Sequence, residues 1–168
     1  PKPEPVTFVG RADVVGLPAH LRLGVALAVL QEHWQDVATE EAAEEPVTRC
    51  GRLQQQESAH VGEPTLFVSR TPGQPSAVLV EALRSYVEQR AEAVRPFFWV
   101  HEFCMRPAGE GPSEHAWLRA TVGAIRHTLL VLDELPANGT IPTLDGVRCC
   151  YELYHTARSG GRLSLAMP

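Results

Sequence analysis

Several side chains that can bind a metal ion or act as nucleophiles lie in the second half of the chain. They are His101, Cys104, His127, Cys149, Cys150 and His155. No two of them have the spacing of a zinc finger, and on a strand His101 and Cys104 would point to opposite faces. We therefore expect no metal site and no Cys–His catalytic pair. Burial as small apolar side chains explains the cysteines better.

Ser69 and Arg70 are better placed to bind a small molecule, because they directly follow a short apolar run rich in β-forming residues. An arginine at this position could bind a phosphate or carboxylate group through two parallel hydrogen bonds. The simpler alternative is a solvated loop arginine. Neither a P-loop nor the Gly-x-Gly-x-x-Gly pattern of dinucleotide-binding folds occurs in the sequence, so no phosphate-binding fingerprint supports the site.

From residue 64 onward, apolar runs of strand length alternate with helical patterns. Strands are predicted over 65–69, 97–103, 127–132 and 162–166, and helices over 77–94, 117–125 and 147–157. The run 127–132 is apolar almost throughout, which is typical of a strand buried on both faces of a parallel sheet. The alternation predicts an α/β fold with an open parallel sheet of about four to five strands and flanking helices. In such sheets, ligands bind beyond the carboxyl ends of the strands, where Ser69 would lie.

A different pattern precedes this region. Apolar residues recur at spacings of three and four in residues 18–45, which predicts an amphipathic helix. Its Trp34 either docks on the sheet or, if exposed, contributes to a partner surface. We therefore divide the chain into an extended N-terminal segment plus amphipathic helix, residues 1–60, and an α/β domain, residues 61–168.

Composition narrows the classes of function. The chain has 168 residues, 44% of them hydrophobic, with a formal net charge of −5. The apolar content predicts a folded domain with its own core, and the acidic balance argues against a nucleic-acid-binding protein. No apolar run approaches the roughly 20 residues that span a bilayer. Four cysteines without a disulfide framework or a secretory leader indicate free thiols, so we expect a cytoplasmic protein.

Four short motifs occur in the order found in one known family. They are Phe67-Val68-Ser69-Arg70, Phe98-Trp99-Val100-His101, Arg126-His127-Thr128-Leu129-Leu130-Val131-Leu132 and Arg148-Cys149-Cys150-Tyr151-Glu152. Over about residues 60–168 the chain resembles TIR (Toll/interleukin receptor) domains, most closely the TIR-like domains of protist and algal proteins. That resemblance implies a TIR-like or flavodoxin-like sheet. The chain departs from the family at Arg70, His101 and Arg148, where those domains have His, Asp and Trp.

The resemblance also implies a chemistry. Some TIR domains hydrolyse NAD at the nicotinamide–ribose bond, and the glutamate they require corresponds to Glu152. A carboxylate there would stabilise the positive charge that develops on the ribose. Ser69, Arg70 and His101 would contact NAD, which is a substrate here, so no cofactor is expected. The loop 106–113 corresponds to a segment that gates the cleft and mediates self-association. The simpler alternative for Glu152 is a carboxylate favoured by the helix dipole and paired with Arg148.

Two functions follow from these patterns. The first is a TIR-like scaffold, a protein-interaction module that binds protein partners or forms oligomers. The departures from the family at Arg70, His101 and Arg148 favour this function, because they indicate that the chemistry of the cleft has changed. The alternative is an NAD hydrolase with Glu152 as its catalytic carboxylate.

Overall fold

A computed structural model describes residues 22–32, 48–56, 59–90, 95–105, 114–133, 144 and 146–168. Strands alternate with helices along most of this length. The strands are β1 (Gly24–Val25), β2 (Val61–Gly62), β3 (Leu66–Ser69), β4 (Phe98–Trp99), β5 (His127–Val131) and β6 (Arg162–Ala166). The helices are α1, described over 27–32, α2 (Arg49–Gln55), α3 (Ser76–Glu88), α4 (His101–Cys104), α5 (Glu114–Ile125) and α6 (Val147–Arg158).

The six strands form one mixed sheet in the order β2-β1-β4-β3-β5-β6. β4, β3, β5 and β6 are parallel neighbours, whereas β1 pairs antiparallel with both β2 and β4. The α/β fold with an open sheet and flanking helices is therefore confirmed, with six strands instead of four to five. The chain leaves β3 toward β4 and then crosses to β5 on the other side. The carboxyl ends of β3 and β5 are thus a topological switch point, where open α/β sheets bind ligands.

The antiparallel edge was not predicted, because β1 lies inside the segment expected to be helical. Gly24 permits this strand to pack closely, since a Cβ there would lie 2.9 Å from the Cβ of Pro64 and 3.1 Å from the carbonyl oxygen of Phe98. The expected helix is described only over 27–32, and Trp34 lies outside the described residues. Residues on both sides of the expected domain boundary at 60/61 share this sheet.

The prediction of one strand over 97–103 was also wrong. β4 ends at Trp99, and the backbone N–H groups of Phe103 and Cys104 donate to the carbonyl of Val100 at 3.0 and 2.9 Å, which begins the short helix α4. The aromatic and apolar composition of this run suits either structure, since a buried helical turn also needs large apolar side chains. As a result His101 lies on a helix.

The parallel strands are the centre of the core. All four residues of β3 are buried, and so are the last four of β5, as the apolar run predicted. The rings of Phe67 on β3 and Trp99 on β4 stack with their centroids 4.9 Å apart. α6 packs on this sheet through Cys149, Glu152 and Thr156, which are spaced three and four residues apart on one helix face. In the described ranges no helix combines the length and the apolar character that a bilayer span requires.

Candidate functional site

Two of the predicted site residues meet at the switch point. The hydroxyl Oγ of Ser69, the last residue of β3, donates a hydrogen bond to Oε2 of Glu152 on α6 at 2.5 Å, across 83 residues of sequence. Both side chains are buried, and only 1% of Glu152 is exposed. The hydroxyl lies at the carboxyl end of the central strand β3. The carboxylate reaches the same place from the side of α6 that faces the sheet.

The second oxygen of this carboxylate also has a partner. Nε of Arg148, one turn earlier on α6, donates to Oε1 of Glu152 at 3.1 Å. Burial raises the pKa of the Glu152 carboxyl, and the Ser69 hydrogen bond and the charge of Arg148 offset this only in part. Glu152 therefore holds a proton to higher pH than an exposed glutamate, a property shared by buried structural carboxyls and by general acids.

Arg70 is not the solvated loop arginine that sequence reasoning allowed. Only 10% of its side chain is exposed, and its guanidinium donates to the carbonyl of Gln74 at 2.7 Å and to Oε1 of Glu102 on α4 at 2.6 Å. Burial raises the pKa of Glu102, but the charge and hydrogen bond of Arg70 outweigh it, so that the pKa is lowered overall. Arg70 thus joins the end of β3 to α4 through a charged pair.

Three further polar residues complete this edge, and sequence reasoning missed them. Glu102 follows β4 by three residues, Asp133 follows β5 by two, and Gln74 lies in the loop after β3, where its side-chain amide donates to a carboxylate oxygen of Asp133. Oε1 of Gln74 and Oε2 of Glu102 are buried and have no hydrogen-bond partner within the described part of the chain. The signal that could have found these residues is their position just beyond the ends of parallel strands.

The remaining candidates lie at the margin of the site. His101 begins α4 next to Glu102, and its ring is edge-on to that of Trp99. The thiol of Cys149 donates to the carbonyl of Arg70 at 3.2 Å. Burial is the main cause that raises the pKa of this thiol, so it forms thiolate less readily than an exposed cysteine does.

Two further expectations concern metal ligands and the loop 106–113. Across the ranges that the structure describes, no three His, Cys, Asp or Glu side chains converge to hold a metal ion. The loop 106–113 lies outside the described residues. The site therefore consists of a hydroxyl, three carboxylates, an amide and two guanidinium groups around the carboxyl end of β3. Such a set can bind a polar ligand or hold the surrounding elements together.

In comparisons with known proteins, the chain matches no family model, no curated sequence and no solved structure.

Proposed function

We propose that the chain is a TIR-like interaction module that self-associates through β6. The observation that carries this proposal is an apolar stripe on the edge strand. Leu163 and Leu165 lie on the strand and Met167 directly follows its last residue, and their exposed fractions are 51%, 56% and 41%. Adjacent exposed leucines on a sheet edge are unusual, because edge strands normally carry charges, bulges or a covering element that prevents pairing with another chain.

The stripe faces the same side of the sheet as α6. Thr128 on β5 hydrogen-bonds Thr156 of α6 at 2.6 Å between their hydroxyl oxygens, and Leu163 is the β6 residue in register with Thr128. Neighbouring residues in register point to the same face of a sheet. α6 packs on this face, yet about half of the surface of each β6 leucine remains exposed to water.

A second copy of the chain is the occupant that fits this edge. If two β6 strands pair antiparallel about Ser164, Leu163 of each copy lies opposite Leu165 of the other, so both leucine pairs contact across a twofold axis. The strand pairing also satisfies backbone groups that the edge leaves to water. This arrangement needs no second type of surface and closes after two copies.

The state of Glu152 supports an interaction module over an enzyme. Both of its oxygens are engaged and almost none of its surface is exposed. A carboxylate that stabilises charge on a ribose must instead contact the substrate.

Sedimentation velocity over a wide range of protein concentration tests the proposal. We expect a monomer–dimer equilibrium for the wild type and a monomer for Leu165→Lys, with unchanged circular dichroism, because a charged side chain at the pairing edge opposes association. Val147→Lys is the matched control, since Val147 is an exposed apolar residue that lies on α6 and not on the pairing strand. A wild type that stays monomeric at all concentrations, or a dimer that persists in Leu165→Lys, contradicts the proposal.

NAD hydrolysis is the second candidate, and the contact of Ser69 with Glu152 at the switch point favours it. In this reaction the bond between the ribose C1′ and the nicotinamide nitrogen breaks, nicotinamide leaves with the bonding electron pair, and water adds to the ribose. Ionised Glu152 would stabilise the oxocarbenium-like charge once Arg148, 28% exposed, moved aside.

Nicotinamide release from NAD at high protein concentration tests this candidate. Glu152→Gln, which preserves the shape of the side chain and removes its charge, should abolish release, whereas Glu81→Gln on the exposed face of α3 should leave it unchanged. Equal background release from the wild type and Glu152→Gln rejects the hydrolase. It does not affect the dimerisation test.

A further inference from the structure

Two cysteines that are far apart in sequence meet in the core. The sulfur atoms of Cys50 on α2 and Cys104 on α4 lie 3.1 Å apart, although 54 residues separate them. Both side chains are fully buried, and both are free thiols. Two thiols at this distance need to approach by only about 1 Å to reach the bond length of a disulfide, about 2.0 Å.

The surrounding contacts hold the two helices in this position. The guanidinium of Arg49 lies over the ring of Phe103 at 5.6 Å, so consecutive residues of α2 face consecutive residues of α4. Thr48 caps α2, because its Oγ1 accepts a hydrogen bond from the backbone N–H of Gly51 at 3.1 Å. The cap stabilises the first turn of α2, which carries Cys50.

We propose that Cys50 and Cys104 are a reversible oxidation site that forms an intramolecular disulfide with hydrogen peroxide as the oxidant. The first thiol takes one oxygen from peroxide to give a sulfenic acid and water. The second thiol attacks that sulfur, the S–S bond forms and the sulfenic oxygen leaves as a second water. Two thiols are oxidised by two electrons in total, and one peroxide molecule is reduced to two waters.

The disulfide would have consequences beyond α2. It would tie α2 covalently to α4, the helix that carries Glu102, which pairs with Arg70 at the carboxyl end of β3. It would also restrict the unfolded chain, which stabilises the folded protein. Burial raises the pKa of the Cys104 thiol, so the reaction should be slow at neutral pH and faster in alkaline solution, where more thiolate forms.

Peptide mapping of the folded protein after treatment with hydrogen peroxide tests the proposal without any variant. We expect one cross-linked peptide pair that contains Cys50 and Cys104, a mass lower by two hydrogen atoms and recovery of both thiols with dithiothreitol. The thermal midpoint Tm should rise by about 5–10 °C in the oxidised protein. Wild-type protein whose oxidation stops at Cys150, or links Cys149 to Cys150, overturns the proposal.

Matched variants separate this pair from the other thiols. Cys50→Ser should lose the cross-link and the rise in Tm, while Cys150→Ser, which removes the exposed thiol, should retain both. A cross-link between Cys50 and Cys104 that appears only in denaturant would also refute the proposal, since the folded contact would then play no part.

Discussion

Glu102 and Glu152 flank the carboxyl end of β3 from opposite sides, yet their acidities shift in opposite directions. Glu102 follows β4 and pairs with Arg70, and its pKa is lowered although burial alone would raise it. Glu152 follows β5 and pairs with Arg148, and burial raises its pKa in spite of two hydrogen bonds. Two carboxyls around the end of one strand therefore have pKa values that shift in opposite directions.

The difference lies in the surroundings of each carboxyl. Burial raises the pKa of Glu152 most, and the nearby charge of Glu102 raises it further. The two cations are also held differently. Arg70 is 10% exposed and approaches Glu102 to 2.6 Å, so water screens the pair little. Arg148 is 28% exposed and approaches Glu152 only to 3.1 Å, while Glu152 itself is almost fully buried. Where the desolvation of the carboxylate exceeds the attraction of its cation, the neutral acid is favoured. Pairs of carboxyls with separated pKa values are also what acid–base sites use.

Removing the arginine from each pair is the strongest test of the difference between Glu102 and Glu152. Arg70→Met should lower the free energy of unfolding by about 2–3 kcal/mol, since Glu102 stays partly buried without its counter-charge. Arg148→Met should lower it by about 1 kcal/mol or less, because Glu152 can take up a proton. Urea denaturation of both variants at neutral pH measures the difference. Equal losses would show that the two pairs are equivalent.

The pH dependence of stability distinguishes the two carboxyls directly. The lowered pKa of Glu102 means that its carboxylate stabilises the fold above the unfolded pKa of about 4.3, and that this contribution disappears as the pH falls through the folded value. The raised pKa of Glu152 has the opposite effect on the pH dependence of stability. Ionisation of Glu152 costs stability, and this cost is absent below the unfolded pKa and complete above the folded one.

Isosteric variants should reveal these signs. Glu102→Gln should lower the free energy of unfolding by about 1–2 kcal/mol at pH 7 and much less at pH 3. Glu152→Gln should leave the protein at least as stable as the wild type at pH 7 and bring no gain at pH 3. Thermal unfolding over this pH range checks both variants. Parallel profiles for the two would overturn the assigned directions.

The hydroxyl of Ser69 is a buried donor to Glu152. Ser69→Ala should cost about 1 kcal/mol and raise the pKa of Glu152 further, because the carboxylate loses its buried donor. Carboxyl-carbon NMR titration measures that pKa. Thr128→Val is the control, since it removes a buried hydroxyl that bonds Thr156 and should leave the Glu152 titration nearly unchanged. A pKa that stays constant in Ser69→Ala would exclude this role.

An exposed ion pair gives the smallest expected effect. Glu81 and Arg84 pair on the surface of α3, and each side chain is nearly half exposed. Arg84→Ala should change the free energy of unfolding by about 0.5 kcal/mol or less, because water screens the pair. Urea denaturation of Arg84→Ala and Arg70→Met under the same conditions compares the two losses in the free energy of unfolding. A loss as large as that of Arg70→Met would show that burial does not determine how much each ion pair stabilises the fold.

Local patterns in the sequence determined much of the fold. The apolar run 127–132 indicated a strand buried on both faces, and β5 is that strand. Apart from β4 and α4, the helices and strands after residue 64 are close to their predicted positions because their apolar periodicities are strong. The sequence placed Ser69 at the end of a parallel strand, and the carboxyl ends of such strands are where open α/β sheets bind ligands. The contact of Ser69 with Glu152 at that end is consistent with this expectation.

Tertiary structure alone decided the rest. The aromatic run 97–103 is compatible with either a strand or a helix. Only tertiary packing decided that the strand ends before Val100 and that α4 begins after it. Gly24 joined β1 to the sheet through close approach to Pro64 and Phe98, which are distant in sequence. The pairing of Arg70 with Glu102, and the opposite pKa shifts of the two glutamates, depend on burial and distances set by long-range contacts. Local sequence encodes which side chains are charged, but the folded environment decides what each charge costs.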